Sequence, residues 1–117
     1  MQALYISGMK VLTFCGNSLR DLRAFPDTVR RVVGYQLEKV QNAQQPSDWK
    51  PMPSIGKGAQ EIRVRDESGA FRVIIVARFS DAVYVRHCFQ KKTQQTGKTD
   101  LDMATQRYRD LFRELDP

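Results

Sequence analysis

The sequence predicts an α+β domain, and three observations carry that prediction. Apolar residues recur at helical spacing between residues 27 and 42, strict alternation takes over from Glu61 to Arg65, and helical spacing returns from Leu101 to Leu115. Such a change of hydrophobic period, from 3.6 to 2 and back, marks helices segregated from a run of antiparallel strands. The predicted order is one strand, two helices, a three-stranded antiparallel meander and a C-terminal helix. With 117 residues, 41% of them hydrophobic and 27% charged, the chain suits one soluble domain around one core. Residues 10–117 are assigned to that domain and residues 1–9 to an N-terminal extension that carries no function, since Met9-Lys10 also reads as a translation start.

The first strand is expected from Lys10 to Phe14, ended by the turn signal Gly16-Asn17. Ser18-Leu19-Arg20-Asp21 has the form of a capping box and opens a short helix that buries Leu19, Leu22 and Phe25 before Pro26 breaks it. A second helix runs from about Asp27 to Asn42. It places Val29, Val32, Val33, Leu37 and Val40 on one face and Arg30, Arg31, Glu38 and Lys39 on the other. Residues 43–57 hold three prolines and read as a long loop, a kind of segment that often carries function. Trp49 sits in it between Asp48 and Lys50, either as a plug against the domain edge or as a stacking platform.

Glu61-Ile62-Arg63-Val64-Arg65 alternates as a strand with one face in the core. Asp66-Glu67-Ser68-Gly69 supplies a hairpin turn. Phe71 to Phe79 is apolar enough for a central strand covered on both faces, and Ser80-Asp81 marks a turn before a strand from Val83 to Gln90. Thr99 and Asp102 form a second capping box. The last helix then buries Leu101, Ala104, Tyr108, Leu111 and Leu115.

Several function classes are excluded. The longest wholly apolar run, Val73 to Ala77, has five residues and is too short to span a bilayer. Met1 to Met9 lacks the basic start and long apolar stretch of a secretory signal. Cys15 and Cys88 are too few for a disulfide framework and match no zinc spacing, so a reducing, cytoplasmic setting is expected. No phosphate-binding glycine loop or nucleophile elbow occurs, and His87 as the only histidine rules out a paired-histidine acid–base mechanism.

Charge is more informative. A formal net charge of +6 suits a polyanion. With Ser68 and Gly69 at the hairpin tip, Arg65 faces Arg72, Val64 faces Val73 and Ile62 faces Ile75. One face, Ile62, Val64, Val73, Ile75 and Ala77, then needs covering by helices, while the other gathers Arg63, Arg65 and Arg72. Like charges set opposite one another destabilise a sheet, so an anion is expected between them. The strand end Phe89-Gln90-Lys91-Lys92 comes beside Arg72 and adds two more cations and an aromatic ring. Guanidinium forks grip phosphate oxygens bidentately, and a ring stacks an unpaired base. The same cluster also reads as a basic rim that discourages edge pairing. His87 reads as a packed strand residue or a site residue, Cys88 as a small buried apolar one, and Glu61 and Asp66 as ion-pair partners or a general base.

Glu61-Ile62-Arg63-Val64-Arg65-Asp66, Phe71-Arg72-Val73-Ile74 and His87-Cys88-Phe89-Gln90-Lys91-Lys92-Thr93-Gln94 together resemble the phage-derived, HigB-like branch of the RelE/ParE toxin superfamily. Ser47-Asp48-Trp49-Lys50-Pro51-Met52 is similar to that branch too, and the resemblance spans about Lys10 to Leu115. It implies a RelE-like fold and the toxin of a type II toxin–antitoxin pair: a ribosome-dependent, metal-independent mRNA endoribonuclease with no cofactor. ParE relatives share the fold and poison DNA gyrase instead, and a basic nucleic-acid-binding domain with a decayed site is a third reading. The implied partners are mRNA, the ribosome and a cognate helix-turn-helix antitoxin offering an acidic segment to the basic groove; no membrane is implied.

Arg72 matches the superfamily's transition-state-stabilising arginine, and Arg63 and Arg65 match its basic positions on the preceding strand. Lys91 and Lys92 stand where some RNase relatives carry His and Tyr as acid and base. On this reading Arg72, Lys91, Lys92 and Arg65 are the catalytic candidates, and Arg63, Phe89, His87, Lys50 and Trp49 the RNA-binding ones. The reading requires Arg72 and Lys91 to share one hollow that the chain's own carboxylates leave open.

Overall fold

The computed structural model describes residues 2–4 (backbone only), 10–78, 81–92 and 96–115. Phe79 and Ser80, expected at a strand end and turn, and the Thr93-Gln94 pair lie outside the described residues. The elements in chain order are β1 (Gln2–Leu4), β2 (Val11–Phe14), α1 (Ser18–Arg23), α2 (Asp27–Gln41), β3 (Trp49–Pro51), β4 (Ala59–Asp66), β5 (Gly69–Val76), β6 (Ala82–Lys91) and α3 (Lys98–Leu115). They form a six-stranded sheet in the order β1-β2-β6-β5-β4-β3. The expected meander is there as β4, β5 and β6, all antiparallel. The strand expected at residues 10–14, β2, joins it parallel to β6.

Two strands were not foreseen. β1 comes from the segment set apart as an extension and pairs antiparallel with β2. β3 lies within the expected loop and pairs antiparallel with β4. Each has three residues, too few for alternation to show.

α1 and α2 cover one face of the sheet. Leu19, Leu22, Phe25, Val29, Val33, Leu37 and Val40 pack there against Ile62, Val64, Phe71, Val73, Ile75, Val83 and Val85. Burying each large apolar side chain stabilises the fold by about 1.5–3 kcal/mol. α3 covers the other face. Leu101, Ala104 and Tyr108 meet Met52, Ile55, Ala59, Ile74 and Phe89, and Leu111 meets Val76, Ala82 and Tyr84. β5, between two helical layers, is buried from Phe71 to Val76. Among the described residues no helix is long and apolar enough to cross a membrane.

Four expectations are corrected. Ser18 is the first residue of α1, not its cap; it is fully buried, and its hydroxyl donates to the Val85 carbonyl. α3 begins at Lys98, which puts Thr99 inside the first turn, and Asp102 pairs with Lys98 instead. Val32 and Leu115 follow the apolar spacing yet are 44% and 43% exposed, Val32 at the margin of α2's packed stripe and Leu115 at the last residue of α3. The hairpin turns on Glu67-Ser68, so Arg63, not Arg65, stands opposite Arg72. That shift is two residues. It therefore leaves every side chain on its expected face.

Candidate nucleic-acid interface

β6 has one irregularity that decides what the site contains. Ile74 pairs with His87 and Ile75 with Val85, so Arg86 is an extra residue in the ladder, a β-bulge. Before it, Val83 and Val85 face α1 and α2; after it, Cys88 does. One added residue thus inverts the alternation and turns His87, Phe89 and Lys91 toward the α3 side of the sheet. Without the bulge, Lys92 would face that way in place of Lys91.

Arg86 anchors the bulge from within. Its side chain is completely buried, and its Nε and Nη2 both donate to the Arg107 carbonyl on α3, the former at 3.0 Å. Its own carbonyl accepts from Arg107 Nη1 at 3.0 Å and from the Cys15 thiol at 3.3 Å. Arg107 Nη1 also reaches His87 Nδ1 at 3.4 Å. A guanidinium only donates, so Nδ1 accepts and Nε2 carries the proton toward Asp100 Oδ1, 2.8 Å away.

Three rows of side chains cross this face. Lys50, Glu61, Ile74 and His87 form the first. Arg63, Arg72 and Phe89 form the second, and Arg65, Ala70 and Lys91 the third. At the centre of the third row Ala70 offers only a methyl between two cations. Five cations thus surround the one carboxylate in the three rows, that of Glu61. Among the described residues no carboxylate forms an ion pair with Lys50, Arg65 or Lys91.

Glu61 is 1% exposed and Arg72 3%, so the hollow expected to stand open at Arg72 is instead closed by the chain's own carboxylate. Glu61 Oε1 accepts from Arg63 Nε at 3.3 Å and lies 3.4 Å from Arg72 Nε, while Oε2 accepts from the Thr96 hydroxyl at 2.8 Å. Arg72 Nη1 donates to the Phe71 carbonyl, but its buried Nε has no hydrogen bond of good geometry. Burial lowers the Arg72 pKa; Glu61 opposes the shift and Arg63 and Arg65 reinforce it. The Lys91 ammonium is also held below its ordinary value, chiefly by desolvation and then by the charge of Arg72, with Arg63 and Lys50 adding to it. Lys91 therefore feels the charge of Arg72.

The other expected residues are placed differently. Lys92 turns back toward the α1–α2 side, where its ammonium donates to Gln90 Oε1 at 3.2 Å. Trp49 stands opposite Ile62, on that same side, and is half-buried. Phe89 is buried in the α3 core with its ring stacked on His87 at 4.9 Å, so it is a wall of the site and not an open platform. His87 is held by Asp100 and Arg107. Asp66 points away, accepting from the Ser68 backbone and hydroxyl and from the Thr28 hydroxyl, which lower its pKa. Thr96 and Arg107 were not foreseen; neither position carries a periodic or charge signal that separates it from its neighbours. A cleft of about 450 Å³ lies on the opposite face of the sheet, lined by Asp21, Phe25, Ser68, Phe71 and Gln90 among others.

Comparison with known proteins supplies a family and a fold. The sequence profile of the family described as "Phage derived protein Gp49-like" matches residues 20–109. No curated protein matches the chain. Among solved structures, a chain of the RelB–RelE antitoxin–toxin complex from Methanococcus jannaschii is similar in fold, with a TM-score of 0.52 at 17% identity, covering 90% of this chain and 99% of that one.

Proposed function

Since the chain belongs to the phage-derived Gp49-like family, we propose that it is the toxin of a type II toxin–antitoxin pair, and that it acts by cutting mRNA. The observation that carries this reading is the convergence of Arg63, Arg65, Arg72 and Lys91 on one sheet face. The fold neighbour comes from an antitoxin–toxin complex, which supports an antitoxin as the partner here. Within this reading the chain is assigned to the HigB-like branch, and its substrate is mRNA on the ribosome.

The chemistry is transesterification within the RNA. The ribose 2′-oxygen attacks the adjacent phosphorus and gives its proton to solvent water; the bond from phosphorus to the 5′-oxygen breaks. A 2′,3′-cyclic phosphate and a 5′-hydroxyl remain. Arg72, with Arg63 and Arg65, stabilises the charge that builds on the phosphorane oxygens, which is the largest demand of such a step. Lys91 protonates the departing 5′-oxygen. Its lowered pKa makes it a stronger acid than a free lysine, in the direction that general-acid catalysis near neutrality favours. Cations of the chain hold the phosphate in this mechanism, so no metal is required.

Mapping transcript 5′ ends after induced expression tests the reading. New 5′-hydroxyl ends inside coding sequences are expected. Induction of the DNA-damage response without such ends would favour gyrase poisoning instead, and normal growth without antitoxin would indicate a decayed site.

A further inference from the structure

The central arginine of the site is not open to solvent. Arg72 is 3% exposed and already faces a carboxylate, that of Glu61, which also accepts from Arg63. A carboxylate and a phosphodiester present the same paired oxygens to guanidinium groups. We infer that Glu61 occupies, in the free chain, the place that an RNA phosphodiester takes on Arg72 and Arg63, so that substrate binds by displacing it. This deepens, and rests on, the reading of the site as an RNA-cleaving one.

Three features of the geometry carry the inference. First, the Arg72–Glu61 contact is a poor one: at 3.4 Å, Arg72 Nε faces Glu61 Oε1 without hydrogen-bond geometry and is otherwise unsatisfied. A buried charged donor left without a hydrogen bond is a cost that a better-placed anion recovers. Second, Lys91 and Arg65 have no carboxylate partner among the described residues, so the positive field in which Glu61 sits is only partly neutralised. Third, Glu61 is held from its far side by the Thr96 hydroxyl at 2.8 Å. Thr96 lies between β6 and α3, so the carboxylate is latched by the segment that leads into the helix covering this face.

Glu61 in this role is a positioning residue. It keeps Arg72 and Arg63 oriented, and it raises the threshold for nonspecific anions. A single phosphate has to compete with an intramolecular carboxylate, whereas a polynucleotide brings several phosphates to Arg65, Lys91 and Lys50 at once.

The test is equilibrium binding of a short, fully 2′-deoxy single-stranded oligonucleotide, which lacks the attacking hydroxyl, followed by fluorescence anisotropy across a salt series. Glu61→Gln is expected to bind about tenfold tighter than the unaltered chain, with a similar salt slope, because the same phosphates are engaged in both. Thr96→Val keeps the charge but removes the latch, and is expected to tighten binding about two- to threefold. Asp48→Asn makes the same change of charge at a carboxylate that acts on Arg72 only through space, and is expected to do less than Glu61→Gln. Should Glu61→Gln not fold, Thr96→Val carries the test alone. If the unaltered chain binds and neither variant binds tighter, the displacement is wrong and the RNA reading stands. If the chain and both variants bind no oligonucleotide at low salt, the RNA reading falls and takes this inference with it.

Discussion

Arg86 and Arg107 each donate to the other's carbonyl oxygen, Arg86 Nε to Arg107 O and Arg107 Nη1 to Arg86 O, both at 3.0 Å. This reciprocal pair joins the bulge of β6 to α3. It fixes which side of the sheet the end of β6 presents, and so places Lys91, not Lys92, beside Arg72.

Replacing Arg107 by Ala removes the donor to Arg86 O and to His87 Nδ1 but leaves the backbone carbonyl that Arg86 uses. A loss of about 1–3 kcal/mol of stability is expected from the buried acceptor left without its charged donor. Urea unfolding measures it. An unchanged midpoint would show that the bulge is held by the strand ladder alone.

Lys91 and Lys92 are adjacent in sequence and face opposite ways. Lys91→Ala is expected to lower single-turnover cleavage by about 10²–10⁴-fold, and Lys92→Ala by a few-fold at most. The pH profile has a definite sign. The ammonium is the acid, it exists below its pKa, and that pKa is shifted down by burial and by Arg72. Cleavage therefore falls as pH rises through a value below that of an ordinary lysine. Lys91→Arg keeps the charge but does not release a proton in this range, so it is expected to lose the alkaline limb together with most of the rate. Equal losses at Lys91 and Lys92 would contradict the orientation of the strand end.

Gly56 lies under the ring of Tyr108, whose hydroxyl donates to the Lys57 carbonyl at 2.6 Å. A methyl at residue 56 would stand 2.2 Å from two ring carbons. Gly56→Ala is expected to cost about 1–3 kcal/mol through overpacking, because α3 must shift to admit it. Thermal unfolding of Gly56→Ala beside Gly34→Ala checks this, since residue 34 has nothing within 4 Å of an added methyl.

Much of the site was legible in the sequence because alternation is robust to register. Ile62, Val64, Val73 and Ile75 share a face, and Arg63, Arg65 and Arg72 share the other, under either hairpin alignment, since the two differ by two residues. The bulge was not legible. Val83 to Gln90 reads as a continuous strand, and only the pairing of Ile74 with His87 and of Ile75 with Val85 reveals the extra residue. That one residue separates Lys91 from Lys92 and packs Phe89 into the core under α3. The partner of Glu61 was equally hidden. Thr96 reaches it across 35 residues of sequence, a contact that no local pattern encodes.

The central claim is that Arg72 acts on phosphorus, and mapping 5′ ends in cells expressing Arg72→Ala tests it most directly. Glu61 keeps Arg63 and Thr96 as partners when Arg72 is removed, so the variant is expected to fold. The account predicts 5′-hydroxyl ends within coding sequences and growth arrest for the unaltered chain, with both absent for a folded Arg72→Ala. Cleavage and arrest at unaltered strength from Arg72→Ala would contradict it.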